Sequence, residues 1–333
     1  MKVGIVGGGR IGSELYKQIK PLGWKAEVIL KNDGVYKNLT EKIDELENYQ
    51  KHCENLNMAF IAIPTLDDGK TAFNYISYFI EQNIPVVTCE KGALSNYYAE
   101  LENKIDKIGY SATVGGGTRL LKYLEEKMNP NVEQIHAVIN GTLNYLFDEL
   151  SKGKNLEKVA EEARKLGYTE PGAEKPLEII NKEATEDAPM KTSILFNVCK
   201  TSRERVRAKQ FNTSKITEPE LKELTRQAKN RRYIVSITKE KNEEDVIGGF
   251  NYQAGEWAIS AGFKNISENP LYQQLITRGV NNSILIQEEY NKIKGIYTLT
   301  GPGAGAEPTT SSMIKDAYKI FQKQTTLTRT TYA

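Results

Sequence analysis

Asp187 and Lys191 stand four residues apart in "EDAPMKTSILFN", where a polar entry meets an apolar run. On a helix, that spacing sets a carboxylate and an ammonium one turn apart on one face. Taken alone the pair is ordinary. Glu186 or Asp187 caps a helix whose first turn accepts Pro189, and an i,i+4 ion pair contributes only about 0.2–0.5 kcal/mol. Proton transfer needs more, and Lys91 supplies a second candidate. It follows the apolar run "IPVVTC", at the carboxyl edge of an expected parallel sheet, where ligands bind in such folds. A lysine can move a proton when burial or a neighbouring cation depresses its pKa. Two lysines from two domains closing on one cleft would form a coherent acid–base arrangement.

A second constellation lies at the start of the chain. Gly7, Gly9 and Gly12 form G-x-G-x-x-G between the apolar "KVGIV" and the helical pattern that follows. These glycines permit a tight turn, close approach of a pyrophosphate, and close packing of helix on strand. The helix N-terminus then faces the phosphates. The acidic residue that would hold the ribose 2′-hydroxyl is expected about 20 residues further on. There the chain reads Lys31 and Asn32, with Asp33 just beyond and Arg10 inside the glycine loop. Two cations favour a 2′-phosphate, hence NADP over NAD. In the opposing reading Lys31 is solvated and Asp33 meets the ribose. "ATVGGGTRLL" and "GPGAGAEPTT" do not follow the right strands to be further dinucleotide loops. The first reads equally as a tight interdomain turn or as a backbone cradle for an alkali cation.

Other chemistries find little support. The two histidines, His52 and His136, lie on separate segments with no partner at metal-ligand spacing, which argues against catalytic zinc. There is no P-loop and no G-x-S-x-G elbow. Cys53, Cys89 and Cys199 form no disulfide or zinc pattern, so a reduced, cytoplasmic setting is expected. Cys89 ends a strand without an evident base and reads as a small buried residue. Lys+Arg (45) and Asp+Glu (43) nearly cancel to +2, so no global field for nucleic acid or anionic membrane exists. "TSRERVRAKQ" reads as a solvated helix face or an interface element. No run spans a bilayer, and "MKVGIVGGG" is not a signal peptide.

The elements that must position these groups follow from hydrophobic period. "KVGIV", "KAEVIL", "NMAFIAI" and "IPVVTC" are short apolar strands, and helical patterns such as "GKTAFNYISYFIEQN" alternate with them. That indicates a doubly wound parallel sheet of Rossmann type. After Tyr110 the pattern changes. "LLKYLEEK", "GTLNYLFDELSKG", "LEKVAEEARKLGY" and "EPELKELTRQAKN" are helical, whereas "EQIHAVIN", "RRYIVSITKE", "DVIGGFNYQ", "EWAISAGF" and "NSILIQEEY" alternate like antiparallel strands. The organisation expected is α/β: a dinucleotide-binding domain of residues 1–112 plus 302–333, and an α+β substrate and dimerisation domain of residues 113–301.

The ordered set "GIVGGGRIGSELY", "VVTCEKGALS", "ATVGGGTRLLKYLEE", "INGTLNYLFDEL", "EARKLGYTEPGA", "EDAPMK" and "GPGAGAEPTTSSMIKD" resembles homoserine dehydrogenase over nearly the full length. The resemblance implies interconversion of L-homoserine and L-aspartate 4-semialdehyde by an NAD(P)-dependent homodimer of amino-acid biosynthesis. It implies that Lys191 is the acid–base lysine, that Asp187 is its partner and a substrate ligand, and that Lys91 is the lysine of a T-x-N-K stretch. It implies substrate contacts at Glu170, Asn140 and Thr142. Cofactor contacts are implied at Gly7, Gly9, Arg10, Ile11, Gly12, Lys31, Thr65, Lys91, Gly167 and Gly303. A monovalent cation, sodium or potassium, is implied on the carbonyls of Ser111, Val114, Gly116 and Thr118.

Two departures stand out. Glu90 replaces the Asn of T-x-N-K. The spacer "GAEKPLEIINKEATE" is longer than usual, and Lys182 stands where the family carries an aspartate five residues before Asp187. Glu183 and Glu178 are the candidates to replace it. The altered spacer keeps open a dehydrogenase of another small amino or hydroxy acid, and a non-catalytic nucleotide-sensing subunit is the alternative of a different class. The pattern corresponds to a short form with neither a kinase domain nor a C-terminal ACT domain, for which no cooperative inhibition by threonine is expected.

Overall fold

Lys2–Val6 (β1) is apolar at every position but its first, and all four residues after Lys2 are buried. A computed structural model of the chain describes residues 1–169, 172–200, 202–239 and 246–330, with side chains as far as residue 323. By its internal contacts the chain divides into two compact units, Met1–Gly117 with Ala306–Ala333, and Thr118–Gly305.

In the first unit the chain runs from β1 through α1 (Arg10–Ile19), β2 (Lys25–Lys31), β3 (Gly34–Tyr36), β4 (Lys42–Asp44) and β5 (Met58–Ile61). It continues through α2 (Lys70–Glu81), β6 (Val86–Thr88), α3 (Gly92–Asn96), α4 (Tyr98–Leu101) and β7 (Ile108–Gly109). The sheet order is β4-β3-β2-β1-β5-β6-β7. The strands from β2 to β7 are parallel, and β3 and β4 add an antiparallel margin that the sequence patterns did not suggest. The order reverses between β1 and β5, which is the switch point where such sheets bind ligands. α1 buries Gly12, Leu15 and Ile19, the stripe its 3.6-residue period dictates.

The second unit opens with α5 (Leu120–Lys127), β8 (Val132–Val138), α6 (Gly141–Ser151), α7 (Leu156–Lys165) and α8 (Pro176–Lys182). A π-helical turn over Glu183–Asp187 leads directly into α9 (Ala188–Cys199). Then come α10 (Glu218–Arg226), β9 (Arg231–Thr238), β10 (Ile247–Ala254), β11 (Trp257–Asn265), α11 (Pro270–Gln274), β12 (Asn281–Tyr290) and β13 (Ile293–Pro302). The six strands form one sheet in the order β10-β11-β9-β8-β12-β13, antiparallel throughout. The chain then rejoins the first unit in α12 (Ala306–Thr330). There Met313, Ile314, Ala317 and Ile320 pack in one cluster with Val3, Ile5, Leu15 and Phe60.

Three local expectations are corrected. β13 was not expected, because its hairpin is disguised. Tyr290 pairs with Ile293, and the two-residue loop between them, Asn291 and Lys292, has φ values of +44° and +81°. Two positive φ values are the mark of a type I′ hairpin, which normally announces itself as Asn-Gly, not Asn-Lys. Ser202–Arg207 forms no helix, and Ala208–Gln210 is a single 3₁₀ turn. Neither Glu186 nor Asp187 caps a free helix end. Asp187 has helical φ and ψ of −72° and −48° and makes no side-chain cap, since helix continues on both sides of it.

Candidate active site

The glycine turn after β1 is shaped by what its glycines exclude. Gly7 has φ +108°, and a Cβ there would lie 2.3 Å from the Ala62 carbonyl, in the loop after β5. A Cβ on Gly12 would lie 1.9 Å from the Gly7 carbonyl, so α1 reaches its close packing only without a side chain. Gly9 differs: a Cβ there meets nothing within 4 Å. It precedes α1, whose first turn holds no acidic residue and whose N-cap makes no side-chain hydrogen bond. The open space, the forward-facing N–H groups and the helix dipole fit a pyrophosphate. Ile11 packs against the hydrophobic cluster of this unit, and Arg10 is exposed at the first position of α1.

At the end of β2, Lys31 folds back across the turn. A Cβ on Gly8 would touch its Cε at 2.8 Å, while its Nζ donates to the Leu39 carbonyl at 2.6 Å and lies 4.0 Å from the centre of the Tyr36 ring. The Asp33 carboxylate accepts the Tyr36 hydroxyl at 2.7 Å, and that bond holds its pKa below the ordinary aspartate range.

After β5 and β6 the loops converge on a buried carboxylate. Glu90, 2 % exposed, accepts the Thr65 hydroxyl at 2.6 Å, the Gly92 N–H at 2.5 Å and the Ala93 N–H at 2.9 Å. Burial pushes its pKa up, against the pull of those three donors and of the Lys91 charge. Lys91 itself precedes the first residue of α3. Burial pushes the neighbouring Cys89 thiol up to about 12, so it is not a ready nucleophile.

Ser111, Val114 and Gly116 lie in the buried loop after β7, where Gly115 and Gly116 have φ of +81° and +50°. Asp316 of α12 fixes this loop, accepting the Ser111 N–H at 2.8 Å and its hydroxyl at 2.7 Å. Sequence reasoning missed Asp316, and 205 residues of separation leave no local signal for it. Thr118 begins the second unit, and its hydroxyl donates to the Pro302 carbonyl at 3.0 Å. Among the described residues no group of three or more His, Cys, Asp and Glu side chains is arranged to hold a metal.

The second unit gathers its charged groups on helix. Lys191 Nζ lies 2.7 Å from Asp187 Oδ2, with side-chain exposures of 14 % and 4 %. Asn140 ties this pair to a third acid. Its Oδ1 accepts the Leu143 N–H at 2.7 Å as the N-cap of α6, which aims its Nδ2 outward from the helix end. Nδ2 donates to Asp187 Oδ2 at 2.8 Å and to Glu183 Oε2 at 2.7 Å. Of the two acids named to replace the missing aspartate, Glu183 is therefore the one beside Asp187. Glu178 instead accepts the backbone N–H groups of Glu174 and Lys175 at 3.2 Å each.

The π turn explains how Pro189 is tolerated in mid-helix. The Ala188 N–H bonds the Glu183 carbonyl, five residues back. In that register Pro189, which has no N–H, would have served Ala184. The Tyr233 hydroxyl donates to the Ala184 carbonyl instead, at 3.2 Å. Thr142, also buried, donates to the Tyr168 carbonyl at 2.5 Å. Gly167 ends α7 with φ +70°. Gly303 is held by its N–H on the Val280 carbonyl at 3.1 Å. Glu170, the expected amino-group ligand, lies outside the described residues.

A family model for homoserine dehydrogenase matches residues 120–317, well over half of the chain. The chain belongs to the homoserine dehydrogenase family. Among similar proteins, the homoserine dehydrogenase of Pyrococcus horikoshii is 28% identical over 252 residues, covering 73% of this chain and 65% of that protein. The homoserine dehydrogenase of Saccharomyces cerevisiae is 24% identical over 282 residues, covering 78% of this chain and 75% of that protein. A putative homoserine dehydrogenase from Archaeoglobus fulgidus shares the fold with a TM-score of 0.71 at 20% identity, covering 96% of this chain and 99% of that one. A hyperthermophilic archaeal homoserine dehydrogenase solved in complex with NADPH has a TM-score of 0.65 at 23% identity, covering 97% and 98%. Among the described residues, no helix is long and apolar enough to cross a membrane.

Proposed function

We propose that this chain is an NAD(P)-dependent oxidoreductase that interconverts L-homoserine and L-aspartate 4-semialdehyde. The observation that carries the reading is the cluster of the buried Asn140, Glu183 and Asp187 with the partly buried Lys191, on a chain whose family and glycine turn both fit a dehydrogenase. In the first unit the Gly7–Gly12 turn would take the pyrophosphate, and Thr65 and Lys91 would contact the rest of the dinucleotide; the family resemblance adds Gly167 and Gly303, which belong to the second unit. Bound there, the cofactor would supply the hydride acceptor or donor for the carbinol carbon of the substrate.

The chain's own residues do the remainder. Lys191 delivers a proton to the carbonyl oxygen in the reductive direction and takes it back in the reverse. Asp187 holds the Lys191 ammonium in place, and Asn140 holds Asp187. Glu170, Glu183 and Asp187 provide charge-assisted acceptors for the substrate ammonium. Thr142 steadies the segment that leads to Glu170 through the Tyr168 carbonyl. Lys91 orients the substrate.

The cofactor preferred in this reading is NADP. Lys31 lies against the glycine turn, and Asp33, the group that would meet an unphosphorylated ribose, is engaged by Tyr36. Charge reversal at Lys31 should move the kcat/KM ratio toward NAD, and an unchanged ratio would remove Lys31 from the phosphate. We further propose a monovalent cation on the carbonyls of Ser111, Val114, Gly116 and Thr118, a homodimer, and a cytoplasmic location. The deciding experiment offers L-homoserine, and separately other small amino and hydroxy acids, with NADP⁺ or NAD⁺, and follows nicotinamide absorbance. Turnover of another acid in preference to homoserine would overturn the substrate, and absence of any turnover would overturn the enzyme.

A further inference from the structure

Glu90 is the point at which this chain leaves the T-x-N-K pattern, and the fold makes the change consequential. The inference about it rests on the dinucleotide reading above. The sheet reverses between β1 and β5, so a dinucleotide laid over the glycine turn has one half toward β2 and the other toward β5 and β6. The β2 side carries Lys31 and Asp33, groups suited to the adenosine ribose. The nicotinamide half is left with the loops after β5 and β6, where Thr65 and Glu90 stand.

An ionised carboxylate only accepts hydrogen bonds, and a carboxamide both accepts and donates. The three groups hydrogen-bonded to the Glu90 carboxyl are donors: the Thr65 hydroxyl and the N–H groups of Gly92 and Ala93. An asparagine or glutamine here would turn its NH₂ toward one of them. The carboxylate therefore suits its surroundings, and two things follow. The Thr65 proton is committed to Glu90, so the Thr65 oxygen meets a ligand only as an acceptor. The donors are neutral, so they solvate the negative charge without cancelling it. Lys91, next in the chain, is the cation whose field reaches Glu90.

Oxidised nicotinamide is a cation and reduced nicotinamide is neutral. We propose that Glu90 is a positioning residue that fixes Thr65 as an acceptor and biases the cofactor site toward the oxidised, positively charged ring. A unit charge acting through a protein-like dielectric changes the ratio of binding of a charged and a neutral ligand by about tenfold or more.

The test is Glu90→Gln, which keeps the shape and removes the charge. Dissociation constants for the oxidised and reduced cofactor are measured separately, by calorimetry and by fluorescence of the reduced form, with the NADP or NAD pair that binds the unaltered chain. The oxidised-to-reduced ratio of Kd should rise by about tenfold. If Glu90 only braces the loop, both affinities fall together, or only Tm falls, and the proposal is overturned. Glu90→Asn, the carboxamide of the family pattern, repeats the measurement should the Gln variant not fold. Failure of both variants to fold would make Glu90 a structural cap and would equally overturn the proposal. If neither pair binds the unaltered chain, it is the dinucleotide reading that fails.

Discussion

The two units build their candidate sites by opposite means. In the first, the site is made of what is missing: glycines whose absent side chains let backbone approach backbone, and a helix end with an open space before it. The buried acid Glu90 is held there by a hydroxyl and two backbone N–H groups. In the second, the site is made of what is added: two acids, an amide and a lysine on neighbouring helices, each holding the next. Backbone recognition needs only a short stretch of chain with glycines correctly spaced. Side-chain recognition needs three elements brought together, and it fails if any one of them rotates. The contrast predicts where each unit is fragile.

The largest effect is expected at the added groups. Lys191→Met should lower kcat by about 10²–10⁴-fold while cofactor affinity, measured by calorimetry, stays within a few-fold. Near-normal turnover across pH would move the proton to another group. Next comes Glu183→Gln, which removes one charged acceptor and should raise KM for homoserine about 10- to 100-fold, the value of a charge-assisted hydrogen bond. Glu178→Gln is the control and should leave KM unmoved, because its carboxylate serves only the entry to α8. Equal effects would dissolve the distinction drawn between them.

The missing groups give a subtler pattern. Gly12→Ala must push a methyl into the Gly7 carbonyl, so it should cost about 1–3 kcal/mol of stability and also weaken the cofactor. Gly9→Ala meets open space, so stability should change by no more than about 0.5 kcal/mol while cofactor affinity still falls. If both variants lost stability alike, Gly9 would not be reserved for a ligand.

The smallest effect concerns acid. His136, in β8, is fully buried between Ser236 and Gln134, with its Nδ1 2.8 Å from Ser236 Oγ and its Nε2 3.0 Å from Gln134 Oε1. Burial, and then the Lys264 charge, lower its pKa to about 3. An unfolded histidine titrates near 6.5. The folded value is the lower one, so His136 contributes fully above about pH 6.5, and that contribution is lost as pH falls from there toward 3. The slope should approach about 1.4 kcal/mol per pH unit. Urea titrations of the unaltered chain and of His136→Gln should therefore converge as pH falls through this window. Parallel curves would mean that other groups carry the acid sensitivity.

The same contrast sets how much could be read from sequence. The glycine turn was legible because all of its parts lie within six residues and each glycine answers a local steric demand. The parallel order of the first sheet was legible from its continuous apolar runs. Asp187 and Lys191 were legible as a pair, since four residues on a helix fix their relation. Asn140 was reached only through the family resemblance, and its junction with Glu183 and Asp187 joins positions 43 and 47 residues apart. The spacing rules could offer both Glu178 and Glu183, and only packing separates them. β13 stayed hidden for a narrower reason: Lys292 occupies a turn position that glycine usually advertises.

The π turn at Glu183–Asp187 carries a consequence for chain length. A helix in that register holds one residue more than an α-helix spanning the same distance. One residue could thus be deleted there, and the helix from Pro176 to Cys199 would persist as a regular one. Its orientation would change little, because the wider turn absorbs the extra residue and a regular turn spans the same arc without it. Ile179 and Ile180, now 1 % and 0 % exposed, would therefore stay buried. The same deletion in the α-helical part of the segment would instead twist everything before it by about 100° relative to α9. When relatives with shorter spacers are laid beside this chain, their acids should be matched by angle about the helix axis, not by counting back from the aspartate.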